Sequence, residues 1–310
     1  MEKKILYMVL PCYNEEEVLE EASRQIKEKM LDLMKRELIS EKSRVCLVND
    51  GSKDKTWDMI QALHEECPEI FSGICLSRNK GHQNAVLAGM LTCKDYSDYV
   101  ISMDADLQDD INAIDEMVIK YNEGADVVYG VRSARTTDTF FKRFTAEGFY
   151  RVMNAMGVES VFNHADFRLM SKRALEGLSQ FKEVNLFLRG LVPMVGYTTA
   201  IVTYERKERF AGESKYPLRK MISFAWEGIT SLSTKPITMI STMGFVVILI
   251  SIIMIIYALV SFFTGNSVPG WASIMASIWF IGGLLLLSIG IVGQYVGKIY
   301  METKARPRYI

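Results

Sequence analysis

The sequence predicts an α/β fold: a mostly parallel sheet with helices on both faces, followed by a C-terminal hairpin of two membrane helices. Three observations predict it. Along residues 4–135, short apolar runs alternate with segments of helical periodicity, the order that a parallel sheet built from βαβ units requires. The polar residues able to do chemistry cluster just after the apolar runs, where open α/β sheets present their ligands. Between Lys235 and Lys298, 62 consecutive positions carry no Asp, Glu, Lys, Arg or His. At the chain's 24% charged residues, a random stretch of that length would hold roughly fifteen.

The strands are expected at 5–10, 45–48, 74–76, 99–103 and 127–129, and helical periodicity fills 15–38, 54–66, 82–93 and 111–123. Residues 1–235 hold 32 basic and 36 acidic side chains, a net charge of −4. With a net −1 over the whole chain, nothing points to a nucleic-acid partner, and the composition excludes a disordered or low-complexity protein. Five cysteines (Cys12, Cys46, Cys67, Cys75, Cys93) form no CxxC pair and no zinc spacing with histidine; they read as thiols in a reducing compartment. The N-terminal apolar run is about seven residues long and ends at Pro11, too short for a signal peptide. The soluble part is therefore expected in the cytosol.

The uncharged region divides into apolar runs at 236–263 and 271–296, joined by Thr264-Gly265-Asn266-Ser267-Val268-Pro269-Gly270. Each exceeds the ~20 helical residues that cross a bilayer core, and the connector has turn chemistry. Arg219, Lys220 and Lys235 precede the first run; Lys298, Lys304, Arg306 and Arg308 follow the second. The positive-inside rule then puts both termini in the cytosol, in a multi-pass protein of the cell membrane. Ahead of the first run, Leu218, Met221, Ile222, Ala225, Ile229 and Leu232 recur at helical spacing. This is an amphipathic helix, either in the membrane interface or packed on the soluble part. The expected divisions are a cytosolic domain over 1–215, the amphipathic helix over 216–234, the membrane helices over 235–298 and a basic tail over 299–310. Gly282, Gly283, Gly290, Gly293 and Gly297 offer the second helix small packing surfaces, for the hairpin itself or for a homo-oligomer.

Four strand ends carry the chemistry: Pro11-Cys12-Tyr13-Asn14-Glu15, Asn49-Asp50-Gly51-Ser52, Ser77-Arg78-Asn79-Lys80-Gly81-His82-Gln83-Asn84 and Asp104-Ala105-Asp106-Leu107-Gln108-Asp109-Asp110. There is neither a GxGxxG nor a Walker loop, which counts against dinucleotide and P-loop enzymes. Asp104 and Asp106 can face one side of an extended backbone. Two converging carboxylates suit a hard divalent cation, Mg²⁺ or Mn²⁺, which also bridges diphosphate oxygens. The alternative is helix capping, because Asp109 and Asp110 precede a helix. Asp50 reads either as a hydrogen-bond acceptor for a ribose or base, or as part of an Asp-Gly turn. His82 reads as a helix-start or packing histidine before it reads as a base.

Together the segments VLPCYNEEE, NDGSKDKT and MDADLQDD resemble glycosyltransferase family 2, the inverting nucleotide-sugar transferases of GT-A fold. HADFRLMS at 164–171, RFAGESKY at 209–216 and the two membrane helices narrow the resemblance to the polyprenyl-phosphate glycosyltransferases. The resemblance covers about residues 4–300. It implies transfer of a sugar from a nucleotide diphosphate, UDP ahead of GDP, to a polyprenyl phosphate such as undecaprenyl phosphate, for cell-envelope glycans. A GDP-mannose-dependent polyprenyl-phosphate mannosyltransferase is the alternative, and behind it a membrane protein that binds a nucleotide sugar without turnover. It also implies that Pro11, Tyr13 and Glu15 line the nucleotide pocket and that Asp50 binds the nucleoside. Asp104, Asp106 and Gln108 would hold metal and diphosphate, and Asp166 stands where the family places its catalytic carboxylate, with Asp106 beside it. Arg209, Ser214 and Lys215 would close over phosphate, and Arg132, Arg135 and Arg143 would receive the lipid phosphate. One departure is visible: Gln-Asp-Asp-Ile follows the DxD where many relatives have a proline pair, a change expected to alter the helix start.

Overall fold

Three of the apolar runs pair side by side because each is buried on both faces and so needs a layer above and below it. The computed structural model describes residues 3–133, 156, 164–205, 226, 228–231, 233–264 and 270–310. In chain order β1 (Leu6–Cys12), α1 (Leu19–Lys35), β2 (Arg44–Asn49), α2 (Thr56–Glu66), β3 (Phe71–Cys75) and α3 (His82–Cys93) build one side. The chain then returns through β4 (Tyr99–Ser102), α4 (Ala113–Asn122) and β5 (Val127–Arg132). Further on come β6 (His164–Ser171), α5 (Lys172–Ser179), α6 (Leu188–Met194) and β7 (Thr199–Tyr204).

The seven strands run in the order β3-β2-β1-β4-β6-β5-β7. Pairs β1–β2, β2–β3, β1–β4 and β5–β7 are parallel; β6 is antiparallel to both neighbours, β4 and β5. After β1 the chain moves outward to β2 and β3, then crosses to place β4 on the other flank of β1. This is the topological switch point at which open α/β sheets hold ligands, beyond the carboxyl ends of the strands. Residues 13–16 and 103–108 follow those two ends.

Each face is covered. On one, Leu19, Ile26, Met30 and Leu33 of α1, Ile60 of α2 and Ile114, Met117 and Val118 of α4 pack against the sheet. On the other, Ala85, Val86 and Met90 of α3, Leu175 and Leu178 of α5 and Leu188 and Leu191 of α6 do so.

Two features differ from the expectation. The third strand begins three residues earlier, at Phe71, because it is an edge strand of alternating burial whose Ser72 and Gly73 break the apolar run. Residues 164–171, expected only as a catalytic segment, are a strand inserted into the sheet. Phe167 and Leu169 enter one core and Met170 the other, the period-2 pattern of a two-sided strand.

Two long helices, α7 (Lys235–Phe263) and α8 (Trp271–Thr303), end the chain. Among the described residues Phe280–Thr303 is long and apolar enough to cross a membrane, and none of its most apolar stretch is buried in protein. Side chains along both helices, such as Phe245, Ile253, Tyr257, Phe280 and Leu286, stand exposed. A β-carbon added at Gly282, Gly283, Gly290, Gly293 or Gly297 would meet nothing within 4 Å among the described residues. Beyond α8 the chain folds back: Tyr309 packs on the α3/α5 core, and the Ile310 carbonyl accepts the Ser77 N–H at 2.8 Å. Most of the amphipathic segment 216–234 lies outside the described residues; of its core-facing positions, Ile229 is buried.

Candidate active site

The loops after β1, β2 and β3 are laced together by their own polar side chains. Asn14, at φ 52°, donates its N–H to Ser52 Oγ (3.0 Å) and accepts the Lys53 N–H on Oδ1 (2.9 Å). Glu15 N–H donates to Thr56 Oγ1 (2.9 Å), and Glu16 exchanges bonds with Asp54 and Lys55. Asp50, almost fully buried, accepts the backbone N–H groups of Lys80 (2.7 Å) and Gly81 (2.9 Å), one on each oxygen. Burial raises its carboxyl pKa while these two N–H groups pull it back. Pro11 is buried at the end of β1 and Tyr13 projects from it, 43% exposed.

Gly51 makes this lacing sterically possible. It sits at φ +65°, and a β-carbon there would lie 2.5 Å from the Asn79 nitrogen and 2.6 Å from the Arg78 carbonyl carbon. Both are backbone atoms that cannot swing aside. We expect Gly51→Ala to cost at least ~1–2 kcal/mol from the left-handed backbone alone, with the clash in addition. A lowered thermal midpoint together with weaker nucleotide protection against unfolding would show it.

At the switch point the carboxylates converge. Asp104 Oδ1 is shielded from solvent and accepts no hydrogen bond among the described residues. Burial raises the Asp104 carboxyl to about 6; the His82 charge opposes this, and the carboxylates of Asp166, Asp109 and Asp106 add to it. His82 Nε2 lies 3.3 Å from Asp104 Oδ1 and 3.5 Å from Asp166 Oδ2, bridging the two. For the imidazole, burial opposes the charge, but hydrogen bonding to Asp166 and the field of Asp104 outweigh it and raise the pKa to about 9. Asp106 Oδ1 accepts the Gln108 N–H at 3.2 Å. Between them Leu107 holds φ 57°, a strained conformation for a branched side chain of the kind that clusters at functional sites.

Asp166 is held by two guanidinium groups. Arg168, with no solvent exposure, donates Nη2–H to Asp166 Oδ1 at 2.6 Å, and Arg189 donates through Nε and Nη2 at 3.3 and 3.2 Å. Burial works against the Asp166 charge, yet Arg189, His82 and Arg168 together hold the carboxyl well below its usual range. Asp166 is thus a fixed anion and a poor proton acceptor. Ser102 at the end of β4 ties it to the sheet, donating its hydroxyl to the Asp166 carbonyl (2.7 Å).

The chemistry of the DxD donor set suits one kind of ion. Among the described residues no group of three or more His, Cys, Asp or Glu side chains forms a complete metal cage. A Mg²⁺-type ion needs none, since it is commonly held by one or two carboxylates with substrate phosphates completing its shell. Asp104 Oδ1, which accepts no hydrogen bond among the described residues and has His82 Nε2 3.3 Å away, and the Asp106 carboxylate two residues on fit such an ion.

The remaining expected residues divide. Arg132 Nε and Nη2 reach Asp109 Oδ1 (3.2 and 2.9 Å), which also accepts the Tyr204 hydroxyl at 2.5 Å. Its guanidinium is therefore engaged by a buried carboxylate beside the DxD segment. Asp110, by contrast, accepts the Asn112 N–H at 3.2 Å in the turn that leads into α4, whose N-cap position, Asn112, makes no side-chain cap bond. Arg135, Arg143, Arg209, Ser214 and Lys215 lie outside the described residues.

His82, Arg168 and Arg189 belong to the site although their sequence context assigns them no catalytic part. A signal existed for two of them. His82 comes after the third strand as the other site segments come after theirs, and Arg168 stands two residues from Asp166 on the same strand face. A cavity of about 560 Å³ opens elsewhere, where Thr230, Ser231 and Ser233 meet Tyr295, Lys298 and Asn185; none of the strand-end carboxylates lines it.

Residues 7–179 match the family model for glycosyl transferase family 2. The Bacillus subtilis uncharacterized glycosyltransferase YkoT is 53% identical over 305 residues, covering 98% of this chain and 90% of that protein. The bactoprenol glucosyl transferase of Shigella phage SfX is 40% identical over 310 residues, covering 98% and 97%. Among solved structures, the mannosyltransferase PcManGT from Pyrobaculum calidifontis aligns with a TM-score of 0.46 at 16% identity, covering 96% of this chain and 85% of that one. A sheet whose ends carry this set of carboxylates, matched in sequence through α5 and by relatives over nearly its whole length, is a glycosyltransferase of GT-A-like fold, and the chain belongs to glycosyl transferase family 2.

Proposed function

We propose that the protein moves a sugar, glucose first among candidates, from a nucleotide diphosphate onto a polyprenyl phosphate at the cytosolic face of the cell membrane. The convergence of Asp104 and Asp166 on His82 at the switch point carries this reading. Relatives of about 40% identity over nearly the full chain that bear the name bactoprenol glucosyl transferase support the lipid acceptor and the glucose. A UDP donor is favoured over GDP-mannose.

The chemistry sets what the residues have to do. A phosphate monoester carries ~−1.5 to −2 charge at pH 7, so the acceptor oxygen is already a nucleophile. It attacks the anomeric carbon from the face opposite the leaving group, the bond from that carbon to the nucleoside diphosphate breaks, and configuration inverts. The difficulty is to bring two anions together. Asp104 and Asp106 would hold a divalent cation, Mg²⁺ or Mn²⁺, which when bound neutralises charge on the leaving diphosphate. Asp50 fixes the 78–81 loop beside the nucleotide pocket formed with Pro11, Tyr13 and Glu15. Asp166, held ionised by Arg189 and Arg168, balances positive charge developing on the sugar ring and orients the acceptor. Arg132, paired with Asp109, is proposed with Arg135 and Arg143 to receive the lipid phosphate, and Arg209, Ser214 and Lys215 to close over phosphate.

A polyprenyl tail stays in the bilayer whereas a nucleotide sugar stays in water. The uncharged run from 236 to 297 and the exposed apolar side chains of α7 and α8 support a two-helix anchor, with the segment 216–234 in the interface and both termini in the cytosol. The test is a panel of radiolabelled nucleotide sugars incubated with membranes and polyprenyl phosphate, followed by lipid extraction. Label from UDP-glucose in the organic phase is the expected result; label from no donor would overturn the proposal.

A further inference from the structure

The last turn of α8 reaches into the catalytic domain. Glu302 accepts the Val184 N–H on Oε2 at 2.8 Å, and on Oε1 both the backbone N–H and the side-chain Nδ2–H of Asn185, each at 2.8 Å. Asn185 Nδ2 also lies 3.4 Å from the Lys298 carbonyl one turn earlier. Three donors on one carboxylate make a charge-assisted clamp, stronger than neutral hydrogen bonds. A second hold lies just upstream, where Arg308 donates to the Phe181 carbonyl at 3.0 Å.

The clamped segment leads directly into the Asp166 pocket. Leu186, Phe187 and Leu188 are buried, so the segment cannot slide without unpacking them. The Leu188 N–H donates to Gln83 Oε1 (2.8 Å), the neighbour of His82, and Arg168 Nη1 points to the Leu188 carbonyl at 3.5 Å. The next residue, Arg189, grips Asp166. A continuous line of short polar contacts and buried side chains therefore runs from the end of the membrane helix to the carboxylate.

We propose that Glu302 is a positioning residue: by fixing Val184 and Asn185 it sets the placement of α6, and through Arg189 and the Leu188 carbonyl it holds Asp166 in its working position. The C-terminal helix is then part of the catalytic geometry as well as an anchor. What reaction the geometry serves rests on the proposed function above; the clamp itself does not.

The test uses the full-length protein in lipid nanodiscs. In Glu302→Ala, kcat is expected to fall roughly ten- to a hundredfold, the scale of small misplacements at a reacting centre. The KM for the nucleotide sugar should stay within about twofold, because the donor loops are not moved. Amide exchange at Val184, Asn185 and Leu188 should quicken. Glu302→Gln, which keeps the shape and one acceptor oxygen, should fall between, and decides by the same measurements if the alanine variant does not accumulate. Because Glu302 acts in part through Arg189, Glu302→Ala combined with Arg189→Ala should lose less than the product of the two single losses. Wild-type kcat in Glu302→Ala, or losses that multiply independently in the double variant, would overturn the proposal. If the wild-type protein transfers no sugar from any donor, the functional reading fails instead, and amide exchange still decides the clamp: unchanged exchange through residues 184–189 rejects it, and faster exchange upholds it.

Discussion

Asp104→Asn is expected to lower sugar transfer by about 10²–10³-fold, the loss typical of removing one preorganised electrostatic group from an active site, without loosening the fold. Asp104 lies among the carboxylates of Asp106, Asp109 and Asp166, and one of its oxygens is buried with no hydrogen bond among the described residues. In the metal-free protein burial and these carboxylates together outweigh the attraction of His82, 3.3 Å away, so the charge on Asp104 costs stability. An amide of the same shape removes the charge, so the thermal midpoint of Asp104→Asn should equal or exceed that of the wild type. This opposition, activity falling while stability holds or rises, is the signature of a group kept for its chemistry. Chelation should act on the same carboxylate. EDTA should abolish transfer by the wild-type protein, and Mg²⁺ or Mn²⁺ should restore it, whereas neither ion should restore Asp104→Asn to the wild-type rate. Full transfer in EDTA, or a variant that loses stability along with activity, would show that Asp104 is a structural residue.

The parallel half of the sheet was legible because burial on both faces leaves a trace that needs no tertiary context. The runs that became β1, β2 and β4 are apolar apart from Ser102, and the segments after β2 and β4 deliver Asp50, Asp104 and Asp106 to one edge, as the βαβ order requires. β6 was less visible because Arg168 interrupts its apolar pattern. A fully buried arginine makes sense only beside the carboxylate that neutralises it, and that pairing is set by the strand rather than by spacing along the chain. His82 carries little signal for a related reason. Alone it is one imidazole at a helix start, and its character comes from two carboxylates that arrive from β4 and β6, at residues 104 and 166. Arg189 has no local signal at all, since its position depends on how α6 is seated against Gln83 and, through the preceding segment, on Glu302. The pairing of Arg132 with the buried Asp109 likewise has no trace in the local spacing, since it joins the end of β5 to the segment after β4.

Asp166→Asn should fail in two separable ways. Arg168 is buried without solvent, and removing the anion that neutralises it leaves a buried charge uncompensated, an effect of roughly 3–5 kcal/mol. Asparagine keeps an acceptor oxygen for the 2.6 Å contact, which places the expected loss toward the lower end, about 3 kcal/mol. Turnover should fall as well, because the amide cannot balance charge on the sugar ring. The two losses part company in the double variant Asp166→Asn with Arg168→Met. Methionine fills much of the same volume without the charge, so most of the stability should return, while transfer stays at the level of the single variant. Thermal unfolding in detergent and single-turnover transfer would measure the two separately. If the double variant recovered both, Asp166 would serve only to neutralise Arg168. A single variant as stable as the wild type would mean that other groups compensate the buried guanidinium.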